Sequence, residues 1–218
     1  MSSMNKFSYD KEKYNFRKIV EKILEVKSLN AIHLESNFPN YDLFPREEDQ
    51  STIYHKRFYH SNKGFLKIYD LFVKDYIRPR FNEPIIYQKI PTFRLHFPNN
   101  VAVGEWHKDK KYRDSAWAEK VRELNYYLPL TRAFGSNTIW VEVHEDERDF
   151  VPMEAKYGEV YEWNGSDLTH GNKQNVTDFT RVSIDFRVIP ESRYIDSGHL
   201  TINTKLPFSI GGYYKECK

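Results

Sequence analysis

The sequence predicts a mainly β fold with flanking helices, built as a double-stranded jelly roll. Three observations predict it. After Pro84 the chain breaks into seven short β-rich runs: IIYQKI, PTFRLHF, VAVGEWHKD, ELNYYLPLT, NTIWVEVH, GEVYEW and TRVSIDFRVI. Several of these runs alternate with a two-residue period, the signature of a strand with two unlike faces. Two stretches of helical spacing precede them and supply apolar stripes to cover one sheet.

In chain order, residues 10–27 (DKEKYNFRKIVEKILEVK) place Tyr14, Ile19, Val20, Ile23, Leu24 and Val26 on one stripe. That spacing predicts an amphipathic helix with Ser8 or Asp10 at its start. FPNYDLFPREEDQS, residues 38–51, reads as a loop punctuated by Pro39, Asn40 and Pro45. Residues 64–77 (GFLKIYDLFVKDYI) return to helical spacing through Leu66, Tyr69, Phe72, Val73 and Tyr76, and Pro79 closes the segment. Residues 1–83 are therefore expected to form a helical and loop buttress of the same domain, and 84–218 its β core. In the last run Val182, Ile184, Phe186 and Val188 share one face, while Arg181, Ser183, Asp185 and Arg187 share the other. A strand with one polar face either meets solvent or lines a wet cavity in a small barrel.

Composition narrows the class. The chain has 218 residues, enough for one domain with a substantial core, and its 15 Phe, 16 Tyr and 4 Trp supply large apolar area. A net charge of +2 gives no support to a nucleic-acid binder. The single cysteine, Cys217, excludes an internal disulfide and points to a reducing cytoplasm. No secretory signal opens the chain, and no apolar run approaches the ~20 residues that span a bilayer. A monomer or homodimer acting on a small molecule is expected, with no membrane or nucleic-acid partner.

His107, Asp109 and His170 carry the chemistry. His107 and Asp109 are two apart on an extended segment, so both project to one face, and His170 returns from a later strand. Two imidazoles and one carboxylate form the facial ligand set of a non-haem Fe(II) site, which leaves about three positions open. Arg181 and Ser183 follow on one strand face, with a planar cationic fork and a hydroxyl suited to a carboxylate beside that metal. Arg94, on one face with Thr92 and His96, points at substrate or at solvent. Asp185 and Arg187 read as charges paired across the sheet, and Trp106 and Trp140 as core.

The HxD motif of GEWHKDKKY, the distant histidine and the RxS pair resemble the Fe(II)- and 2-oxoglutarate-dependent dioxygenases. NYYLPLT, GSNTIWVE, GEVYEWNG and THGNKQNVTDFTRVSIDFRVIP narrow the resemblance to a branch found in streptomycin-type biosynthesis clusters, over roughly residues 85–195. The resemblance implies a cupin-like double-stranded β-helix, His107, Asp109 and His170 as iron ligands, and Arg181 and Ser183 as the 2-oxoglutarate grip. Asn125 is a candidate for the cosubstrate's carboxylate. Fe(II), 2-oxoglutarate and O2 are the implied cofactors, with hydroxylation or another oxidation (desaturation, epimerisation or ring formation use the same ligands) of a C–H bond of a small polar metabolite such as an aminocyclitol, sugar or amino-acid-derived precursor. The carboxylate at Asp109 argues against halogenation, since related halogenases carry Gly or Ala there. RDSAWAEKVRE, residues 113–123, departs from the family pattern as a longer, more helical insertion, expected to shape or cover the substrate entrance. The alternative reading is a non-catalytic jelly-roll module that binds a small ligand.

Overall fold

A computed structural model of the chain describes residues 4–35, 38, 50–102, 105–112, 114–201 and 205–218. Ten strands among them form two sheets. The larger has the order β1 (Met4–Ser8), β7 (Glu159–Trp163), β4 (Leu124–Pro129), β9 (Arg181–Pro190), β2 (Ile85–Gln88) and β10 (Tyr214–Cys217). β3 (Thr92–His96) also pairs with β9. The smaller sheet has the order β6 (Phe150–Pro152), β5 (Ile139–Glu142) and β8 (His170–Asn172). Every pairing is antiparallel. The architecture is the jelly roll that the alternating runs predict.

β9 organises the larger sheet. Along one edge it pairs with β4, from Leu124↔Val188 to Pro129↔Ser183. Along the other it pairs first with β3 (His96↔Arg181 to Thr92↔Asp185) and then with β2 (Tyr87↔Val188 to Ile85↔Pro190). Its alternation sorts the two faces. Val182, Ile184, Phe186 and Val188 enter the main core with Phe93, Leu95, Tyr126 and Leu128 of the neighbouring strands. Three helices cover that face: α1 (Phe16–Leu24), α2 (Ile53–Ser61) and α3 (Lys63–Phe72). Phe16, Phe58, Phe65 and Phe72 are fully buried there, and Phe58 stacks on Phe93 with ring centroids 4.3 Å apart. The opposite face of β9 carries Arg181, Ser183, Asp185 and Arg187 and is buried or half-buried as well, so it does not meet open solvent.

Four details differ from the sequence reading. The stripe over 10–27 becomes a turn followed by a shorter helix. The Asp10 carboxylate accepts the backbone N–H groups of Glu12 and Lys13, an Asp turn that competes with helix, and α1 starts only at Phe16 and ends on Glu25 at φ 59°. Residues 64–77 are helical, but α3 stops at Phe72 and a π-helical turn, Val73–Ile77, follows. α2 lacks a strong periodic signal because its Tyr, His and Phe residues are middling helix formers; it is fixed by the Thr52 hydroxyl, which accepts His55 N–H, and by packing. β1 gives no strand signal in sequence, yet it pairs with β7 over Met4↔Trp163 to Ser8↔Glu159. The loop expected at 38–51 lies mostly outside the described residues. No helix among the described residues is long and apolar enough to cross a membrane.

Candidate metal centre

The sequence places His107 and Asp109 on a common strand face, but the segment is not a strand. His107 forms an isolated antiparallel bridge with His170, exchanging both backbone hydrogen bonds at 2.9 Å. Asp109 then opens a short 3-10 turn, Asp109–Tyr112, and its N–H donates to the Gly165 carbonyl at 2.9 Å. Bridge and anchor bring the three side chains together without regular strand parity. Lys108 reaches Glu145 and Asp146 at 3.1 and 2.7 Å, and Lys110 reaches Glu145 and Asp167 at 2.8 and 3.3 Å. These pairs tie the ligand segment to the turns after β5 and β7.

Within the cluster, one donor atom from each of His107, Asp109 and His170 lies within 4.8 Å of the others. Asp109 Oδ1 sits 3.5 Å from His107 Nε2 and 3.7 Å from His170 Nε2. Each imidazole has its Nδ1 against a backbone carbonyl two residues earlier, Glu105 at 2.9 Å and Leu168 at 3.0 Å. A carbonyl can only accept, so each Nδ1 carries the proton and each Nε2 turns a lone pair inward. Two lone pairs and a carboxylate oxygen facing one point repel each other until a cation sits among them. This donor set therefore fits a divalent metal of the Fe(II) type.

Electrostatics keep the donors in metal-binding form. Burial alone would raise the Asp109 pKa, but the Arg187 charge, helped by the Asn125 amide N–H, holds it well below the usual carboxylate range. Burial pushes His170 down to about 4, with Asp109 opposing and His107 and Arg187 adding to the fall. The Trp163 ring stands edge-on to the His170 ring at 4.6 Å.

The other interior residues separate into three groups. Arg181 is 1% exposed and donates from Nη1 to Asn172 Oδ1 at 2.9 Å, while its Nε is buried with no partner. Ser183 Oγ and the Tyr127 hydroxyl are likewise buried and unpartnered. Asn125 Nδ2 donates to Asp109 Oδ2 at 2.8 Å. Gly165 permits this, because a Cβ there would lie 2.6 Å from Asn125 Nδ2. Arg94 pairs with Asp185 at 3.2 Å, both about one-fifth exposed.

No protein-family model matches the chain. It is 35% identical over 214 residues to the streptomycin biosynthesis protein StrG of Streptomyces griseus, covering 98% of each chain. The chain belongs to the StrG family. Solved structures of the same fold include the non-haem α-ketoglutarate-dependent carbocyclase SnoK from nogalamycin biosynthesis, with TM-score 0.57 and 11% identity over 100% of this chain and 92% of that one. EctD of S. alaskensis with 2-oxoglutarate and 5-hydroxyectoine gives TM-score 0.56 and 13% identity over 96% and 77%. The nickel complex of the non-haem monooxygenase ThoJ gives 0.52 and 14% over 92% and 78%. This StrG-family protein thus has the jelly-roll fold of non-haem oxygenases and a His–Asp–His cluster within it.

Three sequence readings need correction at the site. Arg187 does more than pair across the sheet: besides its 3.8 Å ion pair with Glu123 just before β4, its Nη2 donates to Asp109 Oδ2 at 2.7 Å, while Asp185 makes the plain cross-strand pair with Arg94. Trp106 is not core: it is 37% exposed and lies over Gly171, where a Cβ would meet the indole at 2.7 Å. Trp140 is only half-buried, with Lys173 Nζ 3.1 Å from its ring centroid. The signal for Arg187 was present, since it shares the β9 face with Arg181 and Ser183. What could not be read was that this face points at Asp109.

Proposed function

We propose that this protein is an Fe(II)- and 2-oxoglutarate-dependent oxygenase that hydroxylates or otherwise oxidises a C–H bond of a small polar metabolite. One observation carries the reading: a metal-competent His–Asp–His cluster shares a jelly-roll interior with the buried Nε of Arg181 and hydroxyl of Ser183, two atoms that lack hydrogen-bond partners. Buried polar atoms are rarely left unpaired without a ligand to meet them. Arg181 Nε and Ser183 Oγ are such atoms, on one face of β9. A dianionic 2-oxo acid would fit them, one of its carboxylates held by Arg181 and Ser183 while its other end would face the His107–Asp109–His170 cluster.

Iron and 2-oxoglutarate, when bound, supply the activation of dioxygen, with oxidation and decarboxylation of the 2-oxo acid. The protein's own residues set the conditions. His107, Asp109 and His170 hold the metal on one side and leave the rest of its sphere open. Asn172 fixes the orientation of Arg181, so the remaining guanidinium N–H groups are preorganised for a carboxylate. Asn125 orients Asp109 rather than reaching for the cosubstrate. The half-buried Arg94–Asp185 pair, on the interior face between these groups, is the candidate contact for substrate. The StrG relative's role in streptomycin biosynthesis supports an aminocyclitol, sugar or amino-acid-derived substrate.

Anaerobic addition of Fe(II) and 2-oxoglutarate tests the reading. The expected result is a visible charge-transfer absorption that needs both components and disappears in His170→Ala. Metal binding with no such band at saturating 2-oxoglutarate would exclude the cosubstrate and bring back the ligand-binding module.

A further inference from the structure

Asp109 is held by more donors than three-residue metal binding requires. Its Oδ2 accepts from Arg187 Nη2 at 2.7 Å and from Asn125 Nδ2 at 2.8 Å, while Oδ1 faces the two imidazole Nε2 atoms. Arg187 is itself gripped from the far side. Its Nη1 donates to the Tyr213 hydroxyl at 3.1 Å, its Nε lies 3.8 Å from Glu123 Oε2, and the Tyr214 hydroxyl donates to Glu123 Oε1. Glu123 closes the 113–123 insertion, and Tyr213 and Tyr214 lead into β10. The insertion's helix α4 (Ser115–Val121) packs Trp117 with Ile86, Ile189, Phe208 and Tyr214 in a small core of its own. The insertion and the chain's last strand therefore meet behind the metal cluster.

We infer that Arg187 is a positioning residue which, held by Glu123 and Tyr213, reserves Oδ2 so that Asp109 offers the metal a single oxygen. The inference rests on the metal-site reading proposed above. A carboxylate that gives both oxygens occupies two coordination positions. With one oxygen and two imidazoles, His107, Asp109 and His170 would hold the metal from one side and leave the rest of its sphere for the cosubstrate and oxygen chemistry it would supply. Arginine suits this task because its planar fork gives separate N–H groups to Asp109 and Tyr213 at once while its charge faces the Glu123 carboxylate, which one ammonium does less well. The 113–123 insertion thus acts on the metal's coordination through Glu123.

The test titrates wild type and Arg187→Met anaerobically, first with Co(II) alone and then with 2-oxoglutarate. In Arg187→Met, Co(II) affinity is expected to stay within about threefold of wild type. The Co(II) visible spectrum should change shape, and 2-oxoglutarate affinity should fall about tenfold, because a carboxylate giving both oxygens would take a position the chelating cosubstrate needs. An unchanged spectrum and affinity would overturn the inference. So would parallel loss of Co(II) and 2-oxoglutarate binding in a folded variant. If Arg187→Met does not fold, Glu123→Gln carries the test with the triad and Arg187 intact. It should shift the same two readouts in the same direction by about two- to threefold, and an unchanged profile there overturns the inference equally. Wild type that binds Co(II) but never 2-oxoglutarate rejects the oxygenase reading alone, and the Co(II) spectrum of Arg187→Met then decides on Arg187.

Discussion

The two faces of β9 are almost equally buried and differ in everything else. Toward the helices, Val182, Ile184, Phe186 and Val188 are at most 1% exposed and belong to the main apolar core. Toward the interior, Arg181 and Ser183 are each 1% exposed, yet Arg181 Nε and Ser183 Oγ have no partner. The outer face gains from removing apolar area from water. The inner face loses, because desolvated polar atoms give up water and receive nothing back. Burial alone therefore does not separate core from site in this protein. The state of the polar atoms does.

Substitutions on the two faces should fail in opposite ways. The largest expected effect belongs to Phe186→Ala. Phe186 stacks on Tyr126 at 5.1 Å and meets Tyr69 edge-on at 5.2 Å, so its removal leaves a cavity in the main core. Denaturant unfolding should show a loss of about 3–5 kcal/mol, with metal and 2-oxoglutarate affinities of the folded fraction kept. A large drop in those affinities would mean the faces are coupled through the strand.

Arg181→Leu should do the reverse. Replacing a buried, partly unsatisfied charge by an apolar side chain is often neutral or stabilising, so unfolding free energy should hold within about 1 kcal/mol of wild type or rise. Affinity for 2-oxoglutarate should fall about 100-fold, the value of two charge-assisted hydrogen bonds to a carboxylate. If Arg181→Leu instead unfolds as readily as Phe186→Ala, the arginine serves to hold Asn172 and β8 in place, and the contrast between the faces disappears.

The same contrast explains what was legible in the sequence. The jelly roll was readable because strand alternation is local: Val182 to Val188 announce a buried face by themselves. His107, Asp109 and His170 were readable as a set because their residue types suit one chemistry. How they meet was not, since an isolated bridge and one hydrogen bond to Gly165 replace the expected strand. Arg187 was misjudged because its partner, Asp109, is distant in sequence and not in a neighbouring strand position. β1 escaped notice for a related reason: it is an edge strand with exposed Asn5 and Lys6, whose pairing to β7 is specified from the other strand.

A smaller effect separates the faces through pH. The outer face has no titrating group on β9, whereas the interior holds two buried imidazoles. Burial and the Arg181 charge push His96 down to about 3, against the carbonyls of Asn100, Asn137 and Lys173, which favour its charged form. His170 falls to about 4, chiefly through burial. Unfolded, each titrates near about 6.5. Below that value the unfolded chain takes up protons that the folded chain refuses, so stability is complete above about pH 6.5 and declines as pH falls toward 4. At about pH 5.5 each histidine should account for about 1 kcal/mol. Asp109 adds nothing in this window, because a carboxylate held low loses its contribution only below about pH 4. Urea unfolding of metal-free protein between about pH 7 and about pH 5.5 should show the decline, to which half-buried His33 adds a part, and His96→Gln should make it measurably smaller. Saturating divalent metal should oppose the remainder, because the ion would bind His107, Asp109 and His170 in the folded chain only. A decline that metal leaves untouched would place His170 outside the metal site and return the inner face of β9 to ordinary structure.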